Sequence, residues 1–286
     1  MITNNIMVYC IQETWIVGSG SKLVRGHMVL WHNREERAIG YKGRIPGGVA
    51  IIISPTAVKV WRAAGSKPPI RTRMDSSFVG RFIRMKLRSP QINQYDKKVR
   101  GNTKLFLASV YHPVDEFEHI EFINILSSIV NSVPKTAEFI GGHDVNANVG
   151  TRSKIYRKTL GPREIDNRNI KGRRLLGFFS NNQIKIANSF FTKPSIVTWR
   201  YFSKMRSPHK LDVRYVFNNL FKCVRSCGVS KKGMRSDHSA VRLDFMNRSI
   251  KYKTTFIKKP VIDCNAIKER DNVNENFNVN LRNLIW

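Results

Sequence analysis

Acidic side chains are scarce in this sequence: 20 Asp and Glu stand against 50 Lys and Arg in 286 residues, a formal net charge of +30. Long apolar runs are missing too. None approaches the roughly 20 residues that a bilayer-spanning helix needs, which excludes a transmembrane helix. The opening Met1-Ile-Thr-Asn-Asn-Ile-Met-Val-Tyr has no basic segment, long apolar segment or cleavage site, so no secretory signal is visible. Cysteine is limited to Cys10, Cys223, Cys227 and Cys264. Their one close pair, spaced C-x3-C, is too little for a zinc site or a disulfide framework, and a reducing compartment fits. Hydrophobic residues make up 41% of the chain, with 18 glycines besides. That is an ordinary globular share, so disorder along the whole length is excluded.

The positive charge is concentrated. Residues 71–104, 151–174 and 200–235 carry net +8, +7 and +9, together 24 of the 30 excess charges. They alternate with apolar segments and so read as loops or rims of a folded body rather than a basic tail. A polyanion is the natural partner, nucleic acid the commonest one. The plainer reading is a soluble basic protein with no such partner. No basic amphipathic helix stands out, which argues against a membrane surface.

Short apolar runs separated by turn signals predict strands at Val8–Gln12, Gly47–Pro55, Val79–Leu87, Lys104–Tyr111, Glu138–Gly142, Ile184–Phe191, Val213–Phe217 and Ala240–Phe245. The alternation of apolar and basic residues over 79–87 predicts a half-exposed strand. Helical spacing of Phe117, Ile120, Phe122, Ile123, Leu126, Ile129 and Val130 predicts a helix ending before Pro134, and a second covers Arg173–Asn181. Many strands with few helices predict an α/β fold of two packed sheets with helices outside. From 246 apolar periodicity fades and eight of the last 41 residues are Asn. Residues 1–245 therefore read as one domain and 246–286 as a linker or the start of a further region.

Four of the scarce acids sit at predicted strand ends in apolar or glycine-rich surroundings: Glu13, Asp144, Asp212 and Asp237. A lone acid there is usually a turn former. Four of them, each beside a polar partner in a strongly basic chain, suit a cluster that holds a hard divalent cation for phosphate chemistry.

Six segments occur in a telling order: Cys10-Ile-Gln-Glu-Thr-Trp, Ser109-Val-Tyr-His-Pro, Gly142-His-Asp-Val-Asn-Ala-Asn, Thr198-Trp, Leu211-Asp-Val-Arg-Tyr-Val and Ser236-Asp-His-Ser-Ala-Val. Together they resemble the endonuclease/exonuclease/phosphatase superfamily over about residues 8–245, and within it the apurinic-type endonuclease domain of non-LTR retrotransposons. The resemblance implies a four-layered α/β/β/α sandwich of two mixed sheets. It also implies Mg²⁺-dependent (or Mn²⁺-dependent) hydrolysis of a DNA phosphodiester to a 3′-hydroxyl and a 5′-phosphate. Glu13 would be the principal metal ligand, with Gln12 shaping the same strand end and Asp237 assisting the metal or placing the water. Tyr111 would bond the scissile phosphate, and Asp144 would handle the proton of the attacking water or leaving oxygen. Asn146 would orient the phosphate and Asp144. His238 would contact the phosphate oxygen that gains charge, and Asp212 would hold its imidazole. Ser236 would support that loop, while Thr198 and Trp199 would face DNA. His143 stands where the motif usually has glycine.

In such elements the nick primes reverse transcription, so element RNA and a downstream reverse transcriptase region are the implied partners, and the nucleus the implied place. Lys231-Lys232 and Lys258-Lys259 are too short for a convincing import signal. The family's first strand, with a metal-supporting Asn, and the helix after it have no room before Glu13, and neither Asn4 nor Asn5 can take the role. The expectation is an N-terminally truncated chain with an exposed sheet edge, poor solubility and weak or absent activity. Two other readings stay open: a catalytically dead nucleic-acid-binding remnant, and a phosphatase of the same superfamily acting on phosphorylated small molecules or lipids.

Overall fold

Five residues of alternating size, Val8–Gln12, form strand β1, which pairs antiparallel with β4 (Val49–Ile53) from Val8 opposite Ile53 to Gln12 opposite Val49. The computed structural model describes residues 6–35, 47–63, 65, 69, 76–88, 104–134, 137–163, 167–191, 197–199, 209–230 and 236–245. Between β1 and β4 lies a hairpin absent from the expectations, β2 (Ser19–Val24) and β3 (His27–His32), turned at Arg25-Gly26. The four strands form an antiparallel sheet in the order β1-β4-β3-β2, which leaves β1 at an edge among the described residues. Every residue of β4 is buried, as its unbroken apolar run requires.

Helix α1 (Pro55–Ala63) was also hidden from the sequence reading. Pro55 opens it without wasting a donor, and Ser54 Oγ accepts the Ala57 N–H at 3.3 Å, a conventional N-cap. Then come β5 (Phe82–Arg88), β6 (Lys104–Tyr111), α2 (Glu116–Asn131), β7 (Glu138–Asp144), α3 (Ile170–Asn181), β8 (Ile184–Ile186), β9 (Asp212–Phe217), the single turn α4 (Asn218–Phe221), β10 (Val224–Ser230) and β11 (Ala240–Phe245). The second sheet has the order β5-β6-β7-β9-β8. It is mixed, with β6 and β7 parallel and the other pairs antiparallel. β10 and β11 pair beside it, tied to β9 by Arg214 Nε donating to the Val241 carbonyl at 2.9 Å.

The sheets pack through Leu30, Val49, Ile51 and Ile53 against Ile83, Met85, Leu107, Ile140 and Val216. The other face of the second sheet buries Phe106, Phe139 and Tyr215 against Phe122 and Leu126 of α2 and Leu175 and Phe179 of α3. The α/β sandwich inferred from the sequence is the architecture found.

Three local expectations need correction. The run 184–191 is a strand only to Ile186, after which Ala187–Ser189 wind into a 3₁₀ turn. β5 is not half-exposed: Arg84 is buried, lies over the Phe106 ring at 5.1 Å, and donates to the Ile129 carbonyl and Ser132 Oγ at the end of α2. A cation there meets the negative end of the helix, which alternation alone does not reveal. On α2, Phe117 is 82% exposed and His119 takes the buried stripe with Phe122, Ile123, Leu126, Ile129 and Val130. The proposed 246–286 segment lies outside the described residues, as do most of the basic stretches at 71–104 and 200–208 and Lys231-Lys232.

Candidate active site

Three neighbouring strands of the second sheet end together. Parallel pairing sets Tyr111 of β6 opposite Asp144 of β7, and antiparallel pairing sets Asp144 opposite Asp212 of β9. The fourth contribution comes across the sandwich. Gln12 Nε2 donates to Ser109 Oγ at 2.8 Å and to the Gly142 carbonyl at 2.9 Å, while Ser109 Oγ donates to the Ile11 carbonyl at 2.8 Å. This clamp locks the end of edge strand β1 onto β6 and β7. Glu13 follows with a φ of 54°, a left-handed conformation that turns its carboxylate inward, where it accepts the Tyr111 hydroxyl at 2.5 Å. Just behind it, Gly48 has a φ of 89°, and a Cβ there would fall 2.4 Å from Thr14 Oγ1, so only glycine lets the two loops meet.

Burial and the bond to Glu13 push the Tyr111 phenol far above its ordinary range, so it stays a donor at any working pH. Asp144 is 3% exposed. Burial, then the Asp212 charge, raise its pKa to about 8, with Glu13 adding a little, while His238 and the Asn146 N–H pull the other way. Asn146, with a φ of 44°, donates its backbone N–H to Asp144 Oδ1 at 3.2 Å and its side-chain amide to the His112 carbonyl at 2.9 Å.

His238 Nδ1 lies 2.9 Å from Asp212 Oδ2. Burial alone would lower the imidazole pKa. The Asp212 hydrogen bond and charge, with Asp144 and Asp237 behind, outweigh it and raise the value to about 9. With Nδ1 committed to Asp212, Nε2 is the donor left for a ligand. The His238 N–H also donates to Ser236 Oγ at 3.1 Å, a bond within the loop. Asp237 Oδ2 accepts Trp199 Nε1–H at 2.9 Å, and the Trp199 ring stacks on His209 with centroids 5.8 Å apart.

Thr198 is not on a DNA-facing surface. It is fully buried, and its Oγ1 accepts the N–H groups of Leu211 and Asp212, each at 2.9 Å. It fixes the strand end that carries Asp212. Asn188, which the sequence did not single out, does the same from the other side: its Nδ2 donates to the Asp212 carbonyl at 3.1 Å and its Oδ1 accepts the Arg214 N–H at 3.1 Å. An Asn inside an apolar run at a strand end gives no sequence signal of its own.

Among the described residues no group of three His, Cys, Asp or Glu side chains could chelate a metal ion by itself. Mg²⁺ is commonly held by one or two carboxylates, with water and substrate phosphate completing its shell. Glu13 offers such a carboxylate; burial first, and then the Asp212 and Glu13 charges, raise the Asp144 pKa, and a cation at Glu13 would offset the charge part of that.

No protein-family model matches the sequence, and no curated protein matches it. Solved structures do. A 3′–5′ exonuclease (NExo) from Neisseria meningitidis aligns over 85% of this chain and 90% of its own, with a TM-score of 0.54 at 12% identity. An AP endonuclease from Archaeoglobus fulgidus aligns over 83% of this chain and 88% of its own, with a TM-score of 0.52 at 15% identity. The endonuclease domain of TRAS1, a telomere-specific non-LTR retrotransposon, aligns over 85% and 87% with a TM-score of 0.49 at 15% identity. The chain has the endonuclease/exonuclease/phosphatase fold. Within that fold the described strand ends bring Gln12, Glu13, Tyr111, Asp144, Asn146, Asp212 and His238 to one edge of the sandwich, from segments 226 residues apart in the chain. They leave Ser236 exposed beside them and tie Asp237 to Trp199.

Proposed function

We propose that this chain is a divalent-metal-dependent phosphodiesterase that nicks DNA, leaving a 3′-hydroxyl and a 5′-phosphate. The observation that carries this reading is geometric: Tyr111, Asp144 and Asp212 stand opposite one another at neighbouring strand ends, Glu13 bonds Tyr111, and His238 Nδ1 lies 2.9 Å from Asp212, with the Asp144 carboxyl and the His238 imidazole both shifted upward. Titratable groups pushed toward working pH in opposite roles mark acid–base sites.

A phosphodiester already bears negative charge, so attack by water needs a base for the proton and positive charge for the phosphorane. Asp144 is ionised in part near pH 8 and, fixed by Asn146, takes the proton of the attacking water and returns it to the departing 3′ oxygen as the P–O bond breaks. His238, held cationic by Asp212, offers Nε2–H to the phosphate oxygen that gains charge. The Tyr111 hydroxyl stays protonated and gives its one proton to Glu13; it would turn to that oxygen as a second donor once a cation takes over the Glu13 carboxylate. A Mg²⁺ ion at Glu13, with Mn²⁺ as substitute, would supply Lewis-acid polarisation of the phosphate. Each charge-stabilising donor is typically worth about 10²–10³ in rate, and proton transfer about 10²–10⁴.

The net charge of +30 favours a polymeric anion over a lipid headgroup or small phosphate ester. The finer role, nicking target DNA to prime reverse transcription beside element RNA in the nucleus, is supported by the order of the six sequence segments. In it residues 1–245 are the nuclease unit and 246–286 lead toward a polymerase. Among the described residues no helix is long and apolar enough to cross a membrane. The test is nicking of supercoiled plasmid: activity with Mg²⁺, none with EDTA, and none in His238→Ala or Asp144→Ala. Undiminished nicking by His238→Ala would overturn the mechanism.

A further inference from the structure

Three of the chain's seven histidines serve no step of this reaction yet are buried side by side behind it. His112 follows β6, His143 precedes Asp144 on β7, and His119 lies on α2; none is more than 3% exposed. The His112 ring lies 5.1 Å from that of His119 and 5.0 Å from that of His143, with His112 Nε2 and His143 Nδ1 2.9 Å apart.

What they back is the turn Asp144–Val145–Asn146. The Asp144 carbonyl accepts the His112 N–H at 2.9 Å, and the Val145 N–H goes to the Leu211 carbonyl at 2.9 Å. Asn146 bonds back to Asp144 Oδ1 and across to the His112 carbonyl. The Val145 carbonyl, in a residue fully removed from solvent, is met by Nε2 of His119 at 3.2 Å, from the helical layer rather than the sheet. Burial holds the His119 pKa down to about 4, so the ring is neutral at working pH and carries one proton. The carbonyl acceptor fixes that proton on Nε2. Asn146 tolerates its left-handed backbone better than most non-glycine residues, and the bonds on either side of it, this one included, select that conformation here.

We propose that His119 is a positioning residue: by donating Nε2–H to the Val145 carbonyl it keeps Asn146 left-handed and the Asp144 carboxylate aligned with the Asp212–His238 pair. The inference rests on the nuclease reading and adds to it a residue that touches neither metal nor ester. His112 and His143 pack between α2 and the turn, ring against ring, with His112 Nε2 and His143 Nδ1 in contact.

Two substitutions separate donor from packing. His119→Phe keeps the ring stack and removes the donor; His119→Gln restores a donor at similar reach. Each full-length variant is checked for fold by circular dichroism and compared for kcat and KM on supercoiled DNA with Mg²⁺, for DNA affinity in EDTA, and for the Val145 and Asn146 amide signals in ¹H–¹⁵N spectra. A misplacement of about 1 Å can cost about 10²-fold, so His119→Phe should lose about 10–100-fold in kcat with KM and affinity little changed. The Asn146 signals should shift in that variant, and His119→Gln should recover both kcat and signals. If His119→Phe does not fold, His119→Asn, whose amide falls short of Val145, replaces it. An unchanged kcat with unmoved Asn146 signals overturns the proposal, as does equal loss in the donor-bearing and donor-free variants. Both leave the nuclease reading standing. A wild-type protein that binds DNA and never nicks it overturns that reading, and His119's role with it.

Discussion

Replacing Asp212 by Asn probes the site at its electrostatic centre. The change keeps size and an acceptor oxygen but removes the charge that His238 faces at 2.9 Å. With Asp212 present the imidazole titrates near 9 rather than at its ordinary 6.5. That displacement is worth about 3 kcal/mol between the two protonation states. The raising contributions begin with Asp212, and burial opposes them, so His238 in the Asp212→Asn variant should titrate at or below the ordinary value. Near pH 7.5 the cationic fraction would drop from about 97% to about 9%, about a tenfold loss of the donor form, before any loss of orientation. The assay is an NMR titration of the His238 ring carbon-bound proton in EDTA, run beside the pH dependence of nicking. A ring that still titrates near 9 in Asp212→Asn would refute the reasoning, because some other group would then hold the charge.

Stability of the metal-free protein should fall as pH rises. The His238 pKa is raised on folding, so its contribution is complete below about 6.5 and lost through about 9. The Asp144 pKa is also raised, so its contribution is complete below 3.8 and lost by about 8. Thermal melts should therefore show a Tm that declines between pH 6 and 9 in EDTA, less steeply in Asp144→Asn; a flat profile would contradict both assignments. Gln12→Ala removes the clamp on edge strand β1 and leaves the Gly142 carbonyl and Ser109 without it, which should cost about 1–3 kcal/mol in urea unfolding and weaken nicking. Arg152, Ser153, Lys154 and Arg157 line a cleft of about 250 Å³ on the loop beyond Asn146. Changing its three cations to Ala should flatten the slope of log affinity against log salt by about 2–3 if they meet DNA phosphates, and leave it unchanged if they do not.

The residues that the strand ends bring together were legible because each sits in a short segment whose chemistry and order are distinctive: the Glu13 strand end, the Asp144-x-Asn146 pair and the Asp237-His238 dipeptide. The supports were not. Thr198 and Asn188 act through buried hydrogen bonds to the backbone around Asp212, and a buried threonine reads no differently from an exposed one in a sequence. Arg84 looked like the solvent side of a strand because alternation predicts exposure, whereas the end of α2 supplies carbonyls that pull it in. The hairpin of β2 and β3 escaped notice because its first strand, Ser19-Gly-Ser-Lys-Leu-Val, is polar and edge-lying, so it lacks the apolar run that marked β4.

The central claim is that Glu13, Tyr111, Asp144, Asn146 and His238 surround one divalent ion and one ester. Paramagnetic broadening by Mn²⁺ reads this directly, since it falls steeply with distance from the ion. Sub-stoichiometric Mn²⁺ should broaden the Asn146 side-chain amide and the His238 and Tyr111 ring signals while sparing His27 in the distant hairpin, and Glu13→Gln should abolish the effect. Broadening that bypasses these residues, or that persists undiminished in Glu13→Gln, would contradict it.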